Sequence, residues 1–204
     1  MSFVPKPTPV RLPVALAVIT KDDKPAKEPG FTALFDGKSL DGWHIMNKGK
    51  FSVKDGVIFL DRGSGWLRSD KEYKDFELRL DFRFIDRGAD SGVFIRAGKD
   101  GANWPDKNYQ VQTKDDASIA DIFPKGYEAL KNKKKDKEKL KKVQKKTGEW
   151  QSFVITAKGP HLEVKLNGEL ITTSDGAVDK AGYIGLQGEG GRLEFKNIRI
   201  KELK

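Results

Sequence analysis

One nine-residue stretch alternates strictly between apolar and charged side chains, and this pattern constrains the fold more than any other feature of the sequence. Phe76–Phe84 reads FELRLDFRF, so that five large apolar residues occupy every second position and four charged residues lie between them. Successive side chains of a β-strand point to opposite faces of a sheet. The stretch therefore predicts a strand whose apolar face is buried between two sheets and whose other face is polar.

Short runs of the same kind, separated by turn residues, follow one another from residue 31 onward. Two of them fold back at Asp55-Gly56 and Asn167-Gly168, dipeptides that favour tight hairpins. Further candidate strands cover residues 93–96, 109–113, 150–157, 183–187 and 193–203. Many short strands with few helical stretches predict an all-β sandwich of two antiparallel sheets. The alternation in 150–157 predicts that Trp150 belongs to the core.

The composition excludes several kinds of site. The chain has no cysteine, which excludes disulfides, thiolate metal ligands and a cysteine nucleophile. Its two histidines, His44 and His161, are too few for a three-histidine zinc site. No apolar run approaches the roughly 20 residues of a membrane-spanning helix. The length of 204 residues is enough for one domain with a sizeable core.

The net charge of +9 is concentrated in one segment. Residues 125–146 contain eleven lysines against three acidic residues, so this segment carries +8 and the body of the protein is close to neutral. A nucleic-acid-binding face usually combines Lys and Arg with aromatic residues, but the segment has one aromatic residue, Tyr127, and no arginine. We expect a solvated, Lys-rich insertion at 125–147, helical or disordered, and no specific nucleic-acid partner. A tether to an anionic polysaccharide, a membrane or nucleic acid is the alternative.

Residues 1–29 differ in composition from the rest of the chain. They are rich in proline and lysine, and they contain an apolar stretch at 12–19 that follows Arg11. This stretch has the length of the apolar region of a signal peptide, but Pro13 interrupts it and no clear cleavage site follows. The segment is therefore expected to be either a disordered leader or a degenerate export signal, with the domain covering 30–204.

Several motifs resemble a known family in both content and order. They are GFTALFDGKSLDGW (30–43), DFELRLDFRF (75–84), DSGVFIR (90–96), YQVQ (109–112), GEW (148–150), LNGE (166–169) and GYIGLQGEGGRLEFKNIRIKEL (182–203). On these motifs the chain is identified as a member of the bacterial 3-keto-disaccharide hydrolase domain family. The resemblance implies a concanavalin A-like jelly roll with a carbohydrate site on a concave face. It also implies cleavage of 3-keto-glycosides and a periplasmic or secreted location.

The chemistry of such a substrate defines what the site needs. A ketone at C3 acidifies the proton on C2, because the resulting carbanion is delocalised as an enediolate. A base can remove this proton, and the group on C1 then leaves by elimination, after which water can add back. The site therefore needs a base, polar or cationic groups that hold the developing oxyanion, and a pocket for the sugar ring.

The carboxylate pair of ordinary glycosidases does not fit this sequence. Glu77 and Asp81 share a strand face, but four residues of strand separate them by roughly 13 Å. Retaining and inverting glycosidases need about 5.5 Å and up to about 9.5 Å, respectively. Arg79 also occupies the position between them. A glucanase-type mechanism is therefore not expected.

Polar positions on the strands that the resemblance places across the concave face supply the candidate site residues. Glu189 is the candidate base, with a water-facing turn residue as the alternative, and Arg96 is the candidate cation, with a structural ion pair to Asp90 or Asp81 as the alternative. Asp115 and Asp116 are weaker candidates for the base. The predicted substrate-binding residues are Gln110, Gln112, Gln187, Asp90 and Trp104, the last as a stacking platform.

Neither a cofactor nor a metal ligand set is predicted. Related sandwiches hold a structural calcium, but no acidic cluster in this sequence has the spacing of a calcium loop. The family often carries Glu where Gln110 stands, and an amide cannot act as a base. Two functions therefore stay open: an enzyme that cleaves 3-keto-glycosides, and a lectin-like carbohydrate-binding module that kept the sugar cleft and lost the base.

Overall fold

The computed structural model describes residues 28–204, which form two antiparallel β-sheets packed face to face. The larger sheet has nine strands, in the order β10-β13-β12-β11-β6-β15-β4-β3 with β1 paired to β15, and the smaller has the order β2-β5-β14-β7-β8-β9. The predicted all-β sandwich is confirmed. The strands and the helix are β1 (Thr32–Ala33), β2 (Trp43–Asn47), β3 (Phe51–Lys54), β4 (Val57–Asp61), β5 (Gly65–Tyr73), β6 (Phe76–Phe84), β7 (Asp90–Ala97), β8 (Asn108–Lys114), β9 (Ile122–Lys125), β10 (Lys131–Lys135), α1 (Lys137–Val143), β11 (Gln151–Lys158), β12 (His161–Leu166), β13 (Glu169–Asp175), β14 (Gly182–Gly188) and β15 (Arg192–Glu202).

Part of the N-terminal prediction lies outside the described residues. Residues 1–27 hold the apolar stretch and its flanking prolines, so the alternatives of a leader and an export signal stay predictions. Within 28–204, no helix has the length and hydrophobicity needed to cross a membrane.

The strand with the strongest alternation is a central strand of the larger sheet. β6 lies between β11 and β15, and Leu80 is paired with Phe153 across the ladder. All five apolar side chains of β6 are buried, with 1% or less of their surface exposed. The rings of Phe82 and Phe153 pack with their centroids 4.6 Å apart. This strand therefore forms the middle of the core, as its sequence predicts.

A second, smaller apolar cluster lies on the opposite, outer face of the smaller sheet. Trp66 and Phe94 are buried there and meet edge to face, with ring centroids 5.8 Å apart. Their strand neighbours Leu67, Val93 and Ile95 point the other way and belong to the main core. The outer face of this sheet therefore has a rigid aromatic base beside its polar residues, and Ala97, Met46, Trp104 and Tyr183 complete the cluster.

The Lys-rich segment is ordered and packs on the body, which corrects the expectation of a solvated excursion. β10 pairs with β13, and Asp136 caps the start of α1, where its side chain accepts a hydrogen bond from the Lys139 amide. Leu140 is 2% exposed and belongs to the main core, with Tyr127, Leu130 and Val143 packed against it. Leu140 and Val143 from α1, together with Tyr127 and Leu130 from the chain before β10, face the sandwich, while most of the lysines face water.

Trp150 lies outside the core, contrary to the prediction. β11 begins at Gln151, whose side chain faces inward, so Trp150 falls on the outer face of the larger sheet. The side chains of Arg83 and Lys196 flank its ring at 4.8 and 4.3 Å from the centroid. These cation–π contacts explain how a half-buried tryptophan is held on a polar surface.

Replacing Leu140 by alanine should lower the free energy of unfolding by about 2–5 kcal/mol, because it opens a cavity between α1 and the sandwich. Lys141→Ala, one residue further along the same helix, is the control and should change stability by less than about 0.5 kcal/mol. Chemical denaturation followed by tryptophan fluorescence measures both. Equal stabilities of the two variants would instead support the expectation that the Lys-rich segment is a solvated insertion.

Candidate active site on the outer face of the smaller sheet

Three neighbouring strands bring the predicted polar residues together. Gln187 lies on β14, Asp90 on β7, and Gln110 and Gln112 on β8, all at positions that alternate with core residues. Gln112 is paired with Gly92 across the β7–β8 ladder. A Cβ atom at Gly92 would lie 2.6 Å from the Gln110 side chain, so the glycine provides the space in which Gln110 lies across the sheet.

Hydrogen bonds connect these four side chains into one network. Gln110 Nε2 donates to Gln112 Oε1 at 2.6 Å and to Gln187 Oε1 at 3.0 Å. Gln112 Nε2 in turn donates to Asp90 Oδ1 at 2.9 Å. Gln112 and Gln187 are buried, whereas Asp90 is partly exposed. The network is therefore preorganised, and any ligand on this face meets side chains whose orientation is already fixed.

The main chain holds Glu189 beside this network. Gly190 forms an isolated bridge with Asp90, in which each backbone N–H donates to the other residue's carbonyl, at 2.6 and 3.0 Å. Glu189 is exposed at the end of β14. Partial desolvation raises the pKa of Glu189, the negative charge of Asp90 raises it further, and Lys114 acts in the opposite direction. A carboxylate with a raised pKa at the rim of a cluster has the character of a general base.

Lys114 provides the cation nearest to this carboxylate, and the sequence analysis missed it. Its Nζ lies 3.0 Å from Asp90 Oδ2 and 3.7 Å from Asp116 Oδ2. The hydrogen bond to Asp90 raises the pKa of Lys114, so the ammonium stays charged. The alternation of YQVQTK puts Lys114 on the same face as Gln110 and Gln112. That spacing was the signal that could have identified it.

Arg96 does not reach the cluster, which corrects its assignment as the catalytic cation. Ala97 pairs with Tyr183 and Phe94 with Gly185, so β7 has one more residue than β14 between these pairs. This bulge breaks the alternation, and Arg96 adopts a positive φ of 47°. Ala97 takes the outer position beside Trp66 and Phe94. Arg96 points away from this face and is buried, with 1% of its surface exposed.

Every nitrogen of the buried Arg96 guanidinium donates to a structural partner. It donates to the carbonyls of Lys74, Gly159 and Val178 at 3.0, 2.8 and 2.7 Å. Its remaining partner is Asp75 Oδ1 at 3.1 Å, rather than the predicted Asp90 or Asp81. Burial lowers the pKa of Arg96, and Asp75 opposes this effect. The residue therefore ties three connections, β5–β6, β11–β12 and β13–β14, to the end of β7.

A second arginine, Arg68, lies on the outer face and was not predicted. It is 7% exposed on β5, opposite Gly185 in the register, and its guanidinium carbon lies 4.6 Å from the centroid of the Tyr183 ring. Its Nε and Nη1 atoms, like Nε1 of Trp66, are buried without a hydrogen-bond partner among the residues that the structure describes. The GWLRSD alternation, which places Trp66 and Arg68 on one face, was the available signal.

Two aromatic side chains border the cluster. Trp104 is half-buried, and its Nε1 donates to the carbonyl of Gly188 at 3.0 Å, directly before Glu189. Phe123 is 42% exposed and pairs with Gln110 across the β8–β9 ladder, with Lys133 Nζ 5.1 Å from its ring centroid. Either ring offers a face for the C–H groups of a sugar. Phe123 was missed because a single phenylalanine in a short strand gives no sign of exposure.

The other carboxylates considered from the sequence have partners elsewhere. Asp115 Oδ2 accepts hydrogen bonds from the Gly88 amide and from Thr147 Oγ1. Glu77 pairs with Arg79, and Asp81 accepts a hydrogen bond from Asn197, both on the outer face of the larger sheet. These two acids therefore lie on the sheet that does not carry the cluster.

Antiparallel two-sheet sandwiches include the jelly rolls of lectin domains, but the architecture alone does not define a function. The comparison with known families is more specific. The chain belongs to the 3-keto-alpha-glucoside-1,2-lyase-like domain family, whose sequence pattern matches residues 30–201.

Individual relatives agree with this membership. A 3-keto-disaccharide hydrolase of Bacteroides thetaiotaomicron is 24% identical over 235 residues, covering 88% of this chain and 80% of that protein. A crystal structure from Parabacteroides distasonis, provisionally assigned as a glycosyl hydrolase, is 28% identical with a TM-score of 0.66, covering 85% of this chain and 99% of that one. A carbohydrate-binding module of Bacillus subtilis shares the fold at 17% identity and a TM-score of 0.57, over 79% and 96% of the two chains.

The two buried arginines should respond differently to replacement by methionine. Arg96→Met leaves Asp75 without its cation and three carbonyls without the guanidinium donor, so it should lower the free energy of unfolding by about 3–5 kcal/mol. Arg68→Met removes a guanidinium with two unpartnered nitrogens and should cost far less. Urea denaturation of both variants tests this difference, and equal losses would contradict the structural role assigned to Arg96.

The raised pKa of Glu189 predicts how stability depends on pH. The folded protein binds this proton more tightly than the unfolded chain, so ionisation of Glu189 destabilises the fold as the pH rises above the ordinary glutamate value of 4.5. Glu189→Gln should therefore be more stable than the wild type at neutral pH and equally stable at acidic pH. Denaturation curves across this range test the sign, and a Gln variant that is less stable at neutral pH would contradict it.

Proposed function

We propose that this domain cleaves the glycosidic bond of 3-keto-glycosides, including 3-keto-disaccharides, with Glu189 as the base that removes the C2 proton. The observation that carries the proposal is the position of Glu189, a carboxylate with a raised pKa beside the Asp90–Lys114 ion pair and the three glutamines. Family membership and the name of the Bacteroides relative support the substrate class.

The reaction proceeds by elimination. Glu189 takes the C2 proton, and the electron pair of the C2–H bond passes into the enediolate that the C3 ketone stabilises. Collapse of the enediolate forms a C1–C2 double bond and breaks the bond from C1 to the leaving oxygen, which takes up a proton. Water that adds across the double bond converts the elimination into net hydrolysis. The raised pKa of Glu189 suits this role, since a base works best with a pKa closer to the working pH.

The polar network stabilises the negative charge that develops in this reaction. Lys114 stays protonated, and its ammonium provides a permanent cation at the end of the cluster. Gln112 and Gln187 are held by Asp90 and Gln110, so they bind the sugar without having to reorganise. Fixed donors of this kind stabilise an oxyanion more effectively than mobile water does. Trp104 and Phe123 provide faces on which the sugar ring stacks.

A second candidate is a lectin-like module that binds the sugar without cleaving it. The observation in its favour is Gln110, which stands where the family often has glutamate. Its amide donates to both Gln112 and Gln187, and it cannot accept a proton from carbon. If Gln110 occupies the position of the base in active relatives, the network is a binding site only.

Turnover of a 3-keto-disaccharide, compared with its unoxidised parent, tests the proposal. We expect slow cleavage of the keto sugar and none of the parent, which lacks the acidified proton. Glu189→Gln should lower kcat by about 10²-fold or more while leaving binding nearly unchanged. Glu169→Gln is the matched control, since this carboxylate lies on the larger sheet and is 53% exposed.

The variant Gln110→Glu separates the enzyme from the binding module. It should raise the rate if the side chain at this position faces the C2 proton. Binding of the keto sugar without product release, by both the wild type and Gln110→Glu, would favour the lectin-like module. Cleavage of the unoxidised disaccharide would contradict the elimination mechanism and require a pair of carboxylates.

A further inference from the structure

A second feature, separate from the amide cluster, is a cleft at the end of the sandwich. It has a volume of about 580 Å³ and is lined by Arg87, Gly88, Asp115, Lys146 and Thr147. Three connections meet there: the one before β7, the one after β8 and the one between α1 and β11. The Lys-rich segment therefore contributes one wall of the cleft through Lys146.

Hydrogen bonds fix the shape of this cleft. Asp115 Oδ2 accepts from the Gly88 amide at 3.1 Å and from Thr147 Oγ1 at 2.7 Å. The Asp115 amide donates to the Ala89 carbonyl at 3.0 Å. One carboxylate thus holds all three connections, and the cleft exists before any ligand arrives.

The charges that line the cleft favour an anion. Neither Arg87 nor Lys146 forms an ion pair within residues 28–204, and both are exposed. Asp115 is the one acidic residue in the lining, and two neutral donors already engage one of its oxygens. Two unpaired cations against one carboxylate leave the cleft positive. The lysines of α1 and β10 add to the same field.

The cleft adjoins the candidate active site. Asp115 directly follows Lys114, and Gly88 lies two residues before Asp90, so the lining begins one residue after the end of β8 and two residues before the start of β7. The Cα atoms of Asp115 and Gly88 therefore lie within about 4 and 7 Å of those of Lys114 and Asp90, which makes the cleft a neighbour of the ion pair along both connections.

We infer that this cleft is the leaving-group subsite and that it selects a sugar bearing an anionic substituent, a carboxylate or a sulfate ester. The inference rests on the proposed function for its link to the reaction, but it concerns binding and can be tested without cleavage. Arg87 offers a planar pair of donors to the anion, and Lys146 offers a point charge. The function of the ordered Lys-rich segment then includes recognition of an acidic glycan.

Calorimetric titration of the full-length protein at low salt tests the inference. The probes are a methyl glucuronide, a sulfated methyl glucoside and the neutral methyl glucoside. We expect the two anionic sugars to bind at least about tenfold more tightly than the neutral one, with a preference that weakens as salt is added. If only one anion binds tightly, that anion identifies the substituent. Equal affinities for all three sugars would overturn the inference.

Single substitutions locate the binding site. Arg87→Ala and Lys146→Ala should each weaken binding of the anionic sugar by about tenfold without affecting the neutral sugar. Lys141→Ala is the matched control, because it removes the same charge from α1 at a side chain that is 72% exposed and outside the cleft. An equal effect of Lys141→Ala would overturn the inference in favour of a diffuse lysine field.

A substitution of Asp115 provides an independent test. Asp115→Asn keeps an acceptor oxygen for Gly88 and Thr147 but removes the negative charge, so it should tighten binding of the anionic sugar. No tightening in a variant that remains folded would contradict the inference. Binding of anionic sugars without any keto-sugar cleavage would refute the proposed function alone. Cleavage without an anionic preference would refute the subsite alone.

Discussion

The smaller sheet has two faces with different functions, and the period of two along its strands keeps them separate. In β14, Leu186 packs in the core while its neighbour Gln187 joins the polar network. In β8, Val111 is in the core between Gln110 and Gln112. Since each strand is anchored by its inner residues, the outer ones are held in register without contributing much to stability. The polar face can therefore vary among relatives of this fold while the sandwich stays intact.

The bulge at Arg96 is the one break in this period within β7, and it determines where positive charge can act. The extra residue turns the guanidinium away from the outer face and into contact with Asp75 and three carbonyls. The cations of the outer face therefore come from other strands, Lys114 on β8 and Arg68 on β5. A positive φ at a non-glycine residue costs free energy, and these four contacts offset it.

Alternation predicted the sandwich and most of the cluster, because both follow from which face a residue occupies. Gln110, Gln112, Gln187, Asp90 and Glu189 come together as their positions in the strands indicated. Arg96 was misplaced because a bulge changes the face, and a bulge has no distinct sequence signal. Trp150 was misplaced because its position in the alternation was misread: Phe153 and Ile155 face the core, so the same period puts Trp150 on the outer face. The packing of Leu140 was missed for a different reason. Of the four apolar residues that pack on the core, only Leu140 and Val143 lie on α1, and the lysine-rich composition of the segment hides them.

The electrostatics of the site and of the cleft follow from the same strand ends. Asp90 raises the pKa of both Glu189 and Lys114, so one carboxylate keeps its neighbour basic and keeps the ammonium charged. One residue further along, Asp115 uses its carboxylate to hold loops and leaves Arg87 and Lys146 unpaired within the described part of the chain. At the end of the sandwich the carboxylate of Asp115 is therefore engaged in hydrogen bonds between loops, whereas the charged groups of Arg87 and Lys146 remain available to a ligand. This asymmetry accounts for a near-neutral body that presents a basic cleft.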